Sequence, residues 1–155
     1  MAARSDARTG TGNTGTAGTD KTLNQKVGLV FGAVYVLVGL IGFAVTGGVG
    51  FAEAEGGLLL GIFEVNPLHN LVHLAVGVAL AGAAAAGAGA SKGVNLAVGA
   101  VYALVGVLGF FIGGTSANIL ALNSADHLLH LASAGLLIAV AMGAGERAGA
   151  SARTA

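Results

Sequence analysis

Apolar residues run without a charge from Val27 to Val45 and again from Val94 to Ile112. At about 1.5 Å per residue, such ~19-residue helices just cross a hydrocarbon core of roughly 30 Å. Pro67 to Ala88 and Ala125 to Met142 are equally apolar except in their first two turns, which hold polar residues. The pattern predicts an all-α bundle of four transmembrane helices. Between the first two spans, the apolar run Gly57 to Val65 reads as an interfacial or re-entrant segment.

The four spans form two copies of one unit. Gly32 to Phe43 (GAVYVLVGLIGF) returns as Gly99 to Phe110 (GAVYALVGVLGF), with nine of twelve residues identical. Each copy continues into a polar motif, NPLHNLVHL from Asn66 and NSADHLLHL from Asn123. Gly, Ala, Val and Leu match easily by chance, so the rare residues decide. Both tyrosines, Tyr35 and Tyr102, fall at equivalent places, and all four histidines lie in the polar motif. The domain layout is then a membrane region at 26–143, with repeat one at 26–90 and repeat two at 93–143. Two helices per copy insert both copies in the same direction, which implies a pseudo-two-fold axis along the membrane normal. Inverted repeats, frequent in transporters, need an odd number of spans per copy.

Composition sharpens the membrane reading. The chain is 55% apolar and 9% charged, with mean hydropathy +0.84, outside the usual balance of soluble domains. Its 28 glycines include small-xxx-small pairs such as Gly28/Gly32, Gly77/Ala81 and Gly109/Gly113. Such spacing favours close helix packing in lipid. Gly39/Gly42 and Gly106/Gly109 are read as further helix contacts. Arg4, Arg8, Lys21, Lys26, Lys92, Arg147 and Arg153 all fall on one side of a four-span topology. The positive-inside rule places that side, with both termini, in the cytoplasm. Residues 1–25, rich in Gly, Thr, Ala and Ser, read as a disordered cytoplasmic tail rather than a signal peptide, since no A-x-A site follows; residues 144–155 form a second tail. Absent cysteine removes disulfides and thiolate chemistry. Zero net charge argues against a nucleic-acid partner. The expected partners are the bilayer and, through Gly/Ala-rich faces, a second copy or another membrane protein.

The polar motif carries the candidate chemistry. Asn66 is a favoured N-cap and Pro67 suits the first helical position. His69 and His73 are spaced i, i+4, as are Asp126 and His130 beyond Asn123, so each pair shares a helix face. If helices two and four face each other, three imidazoles and a carboxylate converge. That set suits zinc or a similar divalent metal, with Asn66, Asn70, Asn123 and His127 supporting it. The favoured reading is structural, with the metal site as the alternative: Asp126 closes a capping box and the histidines bond loop carbonyls or hold the helices together. Haem fits poorly in a Gly/Ala-packed bundle. Tyr35 is expected away from the histidines, because helical side chains lean toward their own N-termini and the helices are antiparallel. Catalysis is not expected, since the adjacent Asp126 and His127 point in different directions on a helix. A subunit of an oligomeric pore or transporter is the third reading, weakened because no polar stripe runs along any span.

With both motifs in hand, the chain resembles the bacterial, notably actinobacterial, membrane proteins grouped as domain-of-unknown-function family 4383. Its most specific piece is GIFEVNPLHNLVHL, Gly61 to Leu74. The resemblance covers roughly residues 26–143 and implies a small multi-pass bacterial plasma-membrane protein, without supplying an activity. The second copy departs from the first at Asp126 (for His69) and His127 (for Asn70).

Overall fold

The computed structural model describes residues 20–143; of the tails expected at 1–25 and 144–155, residues 1–19 and all of the second lie outside the described residues. In chain order the elements are α1 (Leu23–Gly42), β1 (Gly57–Leu59), β2 (Phe63–Val65), α2 (Pro67–Ala86), α3 (Ala88–Ile112) and α4 (Ser124–Ala141). All four helices are long and apolar enough to cross a membrane. α1 starts earlier than the charge pattern suggests, because Thr22 and Gln25 form a capping box: Thr22 Oγ1 accepts from the Gln25 N–H at 3.3 Å and Gln25 Oε1 from the Thr22 N–H at 3.1 Å. Residues 23–25, expected in the tail, are therefore helical.

The helices pack as two pairs, α1 on α2 and α3 on α4, with thinner contacts between the pairs. Glycine sets the closeness. A Cβ on Gly32 would stand 2.8 Å from the Gly77 carbonyl oxygen, and a Cβ on Gly77 the same distance from the Gly32 carbonyl oxygen. Gly113 instead touches only its own helix, so it makes no interhelical contact. Tyr35, Leu80, Tyr102, Ala134 and Leu137 form the apolar centre. Around it the usual order is inverted. Asn24, Asn66, His69, Asn70, Ser91, Asn95 and Asp126 are buried, while Val30, Leu37, Leu40, Leu104 and Phe111 are exposed. This distribution suits a hydrocarbon surrounding, where polar groups must find partners inside the bundle.

Two connections differ from expectation. Gly57–Val65 is an antiparallel hairpin, with Leu59 opposite Phe63. Its turn uses left-handed Leu60 (φ 55°) and Gly61 (φ 72°), and the Ile62 N–H donates to the Leu59 carbonyl at 3.1 Å. At the opposite end, the tail end, α2 meets α3 through Gly87 alone (φ 138°). A glycine there reverses the chain without a loop. Lys92, expected between the spans, lies instead in the second turn of α3.

The tail end also holds a polar knot across all four helices. Asn95 Nδ2 donates to both the carbonyl and Oδ1 of Asn24 at 3.0 Å. Asn24 Nδ2 reaches the Val140 carbonyl at 3.3 Å, and Gln25 Nε2 the Ala84 carbonyl at 2.9 Å.

Candidate functional site

Two asparagines start the helices that carry the histidines. Asn66 Oδ1 accepts from the His69 N–H at 2.8 Å, and Asn123 Oδ1 from the Asp126 N–H at 3.1 Å. Each also secures a loop. Asn66 Nδ2 donates to the Glu53 and Ile119 carbonyls, both at 2.8 Å, joining the two loops of the hairpin end. Asn123 Nδ2 donates to the Ile62 carbonyl at 2.8 Å, holding the hairpin turn. Both asparagines are thus fastenings around the site.

From these starts, His69, His73 and His130 converge. One nitrogen from each lies within 4.8 Å of the others, and all three residues are buried. The ring centroids of His69 and His73 are 4.3 Å apart, and His130 lies 5.9 Å from His69 and 6.4 Å from His73. His130 Nδ1 is 2.7 Å from the Asp126 carbonyl oxygen. A carbonyl only accepts, so Nδ1 carries the proton and Nε2 keeps its lone pair. The helix's own backbone therefore sets this tautomer. Neither ring nitrogen of His69 has a hydrogen-bond partner, nor does Nδ1 of His73. Each such buried group costs about 1–3 kcal/mol when left unpaired.

Asp126 does not join this set. Its Oδ2 accepts from the Asn123 N–H at 3.0 Å and from the Glu64 N–H at 3.1 Å. The third residue of a helix is well placed for this, because a carboxylate there reaches back to the cap and meets the positive helix end. One carboxylate oxygen thereby ties β2 to the start of α4. Asn70 and His127 are also elsewhere. Asn70 Nδ2 donates to Thr46 Oγ1 at 3.3 Å, and its amide stands where a Cβ of Gly42 would be. His127 fills the corresponding space at Gly109 and lies edge-on to Phe110, centroids 4.8 Å apart.

The tyrosines stand against the histidines, contrary to expectation. Tyr35 stacks on His73 at 5.4 Å, Tyr102 meets His130 edge-on at 4.8 Å, and the two tyrosines touch at 5.4 Å. The reason is depth. α1 ends at Gly42, so Tyr35 lies about 10 Å from the hairpin end, and His73 lies about 9 Å from the same end. Sequence reasoning also passed over Asn24 and Asn95. Asn95 carried a usable signal, a strong hydrogen-bonding group inside an apolar span, which in lipid needs an internal partner.

No curated protein and no solved structure matches the chain. Residues 25–143, which hold α2, α3, α4, all but the first two residues of α1 and the whole histidine cluster, match the family described as a domain of unknown function (DUF4383). The chain belongs to that family.

Proposed function

We propose that this is a multi-pass membrane protein that binds a divalent metal, zinc-like in its preferences, through His69, His73 and His130. The observation that carries the reading is the buried convergence of three imidazoles, two of which, His69 and His73, hold nitrogens without a hydrogen bond of good geometry. Neutral imidazoles are the common protein ligands for such metals. The His130 contact with the Asp126 carbonyl supports the same role, because ligating histidines are typically oriented through their other nitrogen. Three ligands leave room for a fourth donor, and no carboxylate from this chain is assigned to it.

The proposal extends to placement. The basic residues favour cytoplasmic termini and an outward hairpin end, and the family resemblance favours a bacterial plasma membrane. The two helix pairs are taken as tandem copies about a pseudo-two-fold axis, and the role is binding rather than catalysis. Gly82, Gly89, Gly93 and Gly135, where an added Cβ would meet nothing within 4 Å, are left for lipid or a second copy.

Metal analysis of protein purified in mild detergent after growth with zinc, iron or copper tests the reading. The expected result is about one metal per chain, reduced to background in a His73→Ala/His130→Ala double variant that remains helical. A metal-free wild type with a variant that merely melts lower would return the histidines to a structural role.

A further inference from the structure

Beside the histidines lies a cavity of about 260 Å³ between α1 and α4, roofed by the hairpin through Leu59, Leu60 and Phe63. Its mouth is formed by Val30, Val34 and Leu129, all exposed on the outer face of the bundle. α1 and α4 touch only sparingly, so the opening faces the lipid-facing side rather than the loops. The inner wall differs in kind. There Tyr35, His73, His130 and Ser133 are gathered, with Phe31, Tyr35 and His73 in a continuous aromatic series at 5.8 and 5.4 Å. His73 is almost fully buried and its Nδ1 has no partner.

A mostly apolar lining, the rings of Phe31 and Tyr35, and a few polar groups among them, Ser133, His130 and Asp126, describe the ligand. It is a planar ring bearing oxygens, with an apolar tail that stays in the bilayer. The volume agrees, lying just under the roughly 300–1,000 Å³ of pockets that enclose drug-sized molecules. One substituted ring fits, its tail outside. A fatty acyl chain would fill the mouth but offer nothing to Ser133 or the imidazoles, leaving buried polar groups unmatched. We propose that this cavity binds the head group of a membrane-dissolved quinone or quinol. Its ring lies beside Tyr35 and Phe31, and an oxygen meets Ser133, a group that the metal does not use. The metal proposed above is not required for this.

The chain has two tyrosines and no tryptophan, and Tyr35 lines the cavity, so tyrosine emission reports on it directly. The full chain in lipid nanodiscs is titrated with a short-tailed benzoquinone. The expected result is saturable quenching that weakens at least about tenfold in Val34→Phe, whose added ring enters the mouth, while helicity and metal content stay unchanged. Ser133→Ala, which removes the hydroxyl without adding bulk, weakens it several-fold. His69 does not line the cavity, so His69→Ala abolishes metal retention and leaves quenching within about twofold. A metal-free wild type that still quenches saturably supports the quinone site while removing the metal reading. Linear, unsaturable quenching, or equal saturation in wild type and both cavity variants, overturns the quinone site. Displacement of the quinone by equimolar oleate also overturns it, in favour of an acyl-chain pocket.

Discussion

The starts of α2 and α4 are built alike and used differently. Each opens with an asparagine whose Oδ1 accepts from the third helical N–H. Each places its fourth residue, Asn70 or His127, against a glycine of the preceding helix, Gly42 or Gly109. They part at the third residue. Asp126 turns back to the cap and closes a capping box. His69 stands where an acidic residue would do this, and its ring lies in the interior beside His73 and His130. Shared geometry at the two ends therefore marks scaffolding, and the departure at the third residue marks the site. The cluster is asymmetric because α4 uses at its cap the position that α2 gives to the interior.

The sharpest way to break this comparison is to exchange roles at the third position. His69→Ala should abolish metal retention, whereas Asp126→Ala should keep it and lose only stability, about 1–2 kcal/mol. Equal metal loss in both, measured on folded protein, would put Asp126 back among the ligands. The shared glycines come next. Gly42→Ala and Gly109→Ala should each destabilise by about 1–3 kcal/mol in detergent unfolding, because the new methyl overlaps Asn70 or His127. Adding Asn70→Ala to the first or His127→Ala to the second should restore much of that loss, a non-additivity confined to each local pair.

Smaller effects refine the picture. Asn66 holds two carbonyls besides its cap and Asn123 one, so Asn66→Ala should cost about 1 kcal/mol more than Asn123→Ala. The loops of both halves also contain a left-handed non-glycine residue, Leu60 (φ 55°) and Ala121 (φ 52°). Leu60→Gly and Ala121→Gly should each relieve local strain, offset in part by greater freedom of the unfolded chain. A change within about 1 kcal/mol of wild type is expected. A loss well beyond that would mean that the side chain, rather than the backbone, holds the loop.

The spans were legible because membrane helices announce themselves by length and by the absence of charge, and the caps because Asn-Pro and Asn-x-x-Asp are local signals. The histidine spacing revealed which rings share a face. It could not reveal that Asp126 faces the cap, since a third-position carboxylate reaches either the cap or a neighbouring helix. The tyrosine contacts were missed through an error of a few residues in the bounds of α1: the Thr22–Gln25 box lies in polar sequence that resembles the tail. The hairpin was hidden for another reason. GLLLGIFEV has no alternation of apolar and polar residues, so its period gives no strand signal, and its pairing depends on Leu60 accepting a conformation leucine rarely adopts.

The single-residue join at Gly87 has a mechanical consequence. Two helix pairs linked by one residue at the tail end, and knotted there by Asn24 and Asn95, have little freedom to slide past one another along their length. The hairpin end is fastened as well, Asn66 Nδ2 holding the Ile119 carbonyl and Asp126 Oδ2 accepting from the Glu64 N–H. There one pair carries His69 and His73 and the other carries His130. The imidazoles therefore sit on a seam pinned at both ends, their spacing set like a span between two abutments.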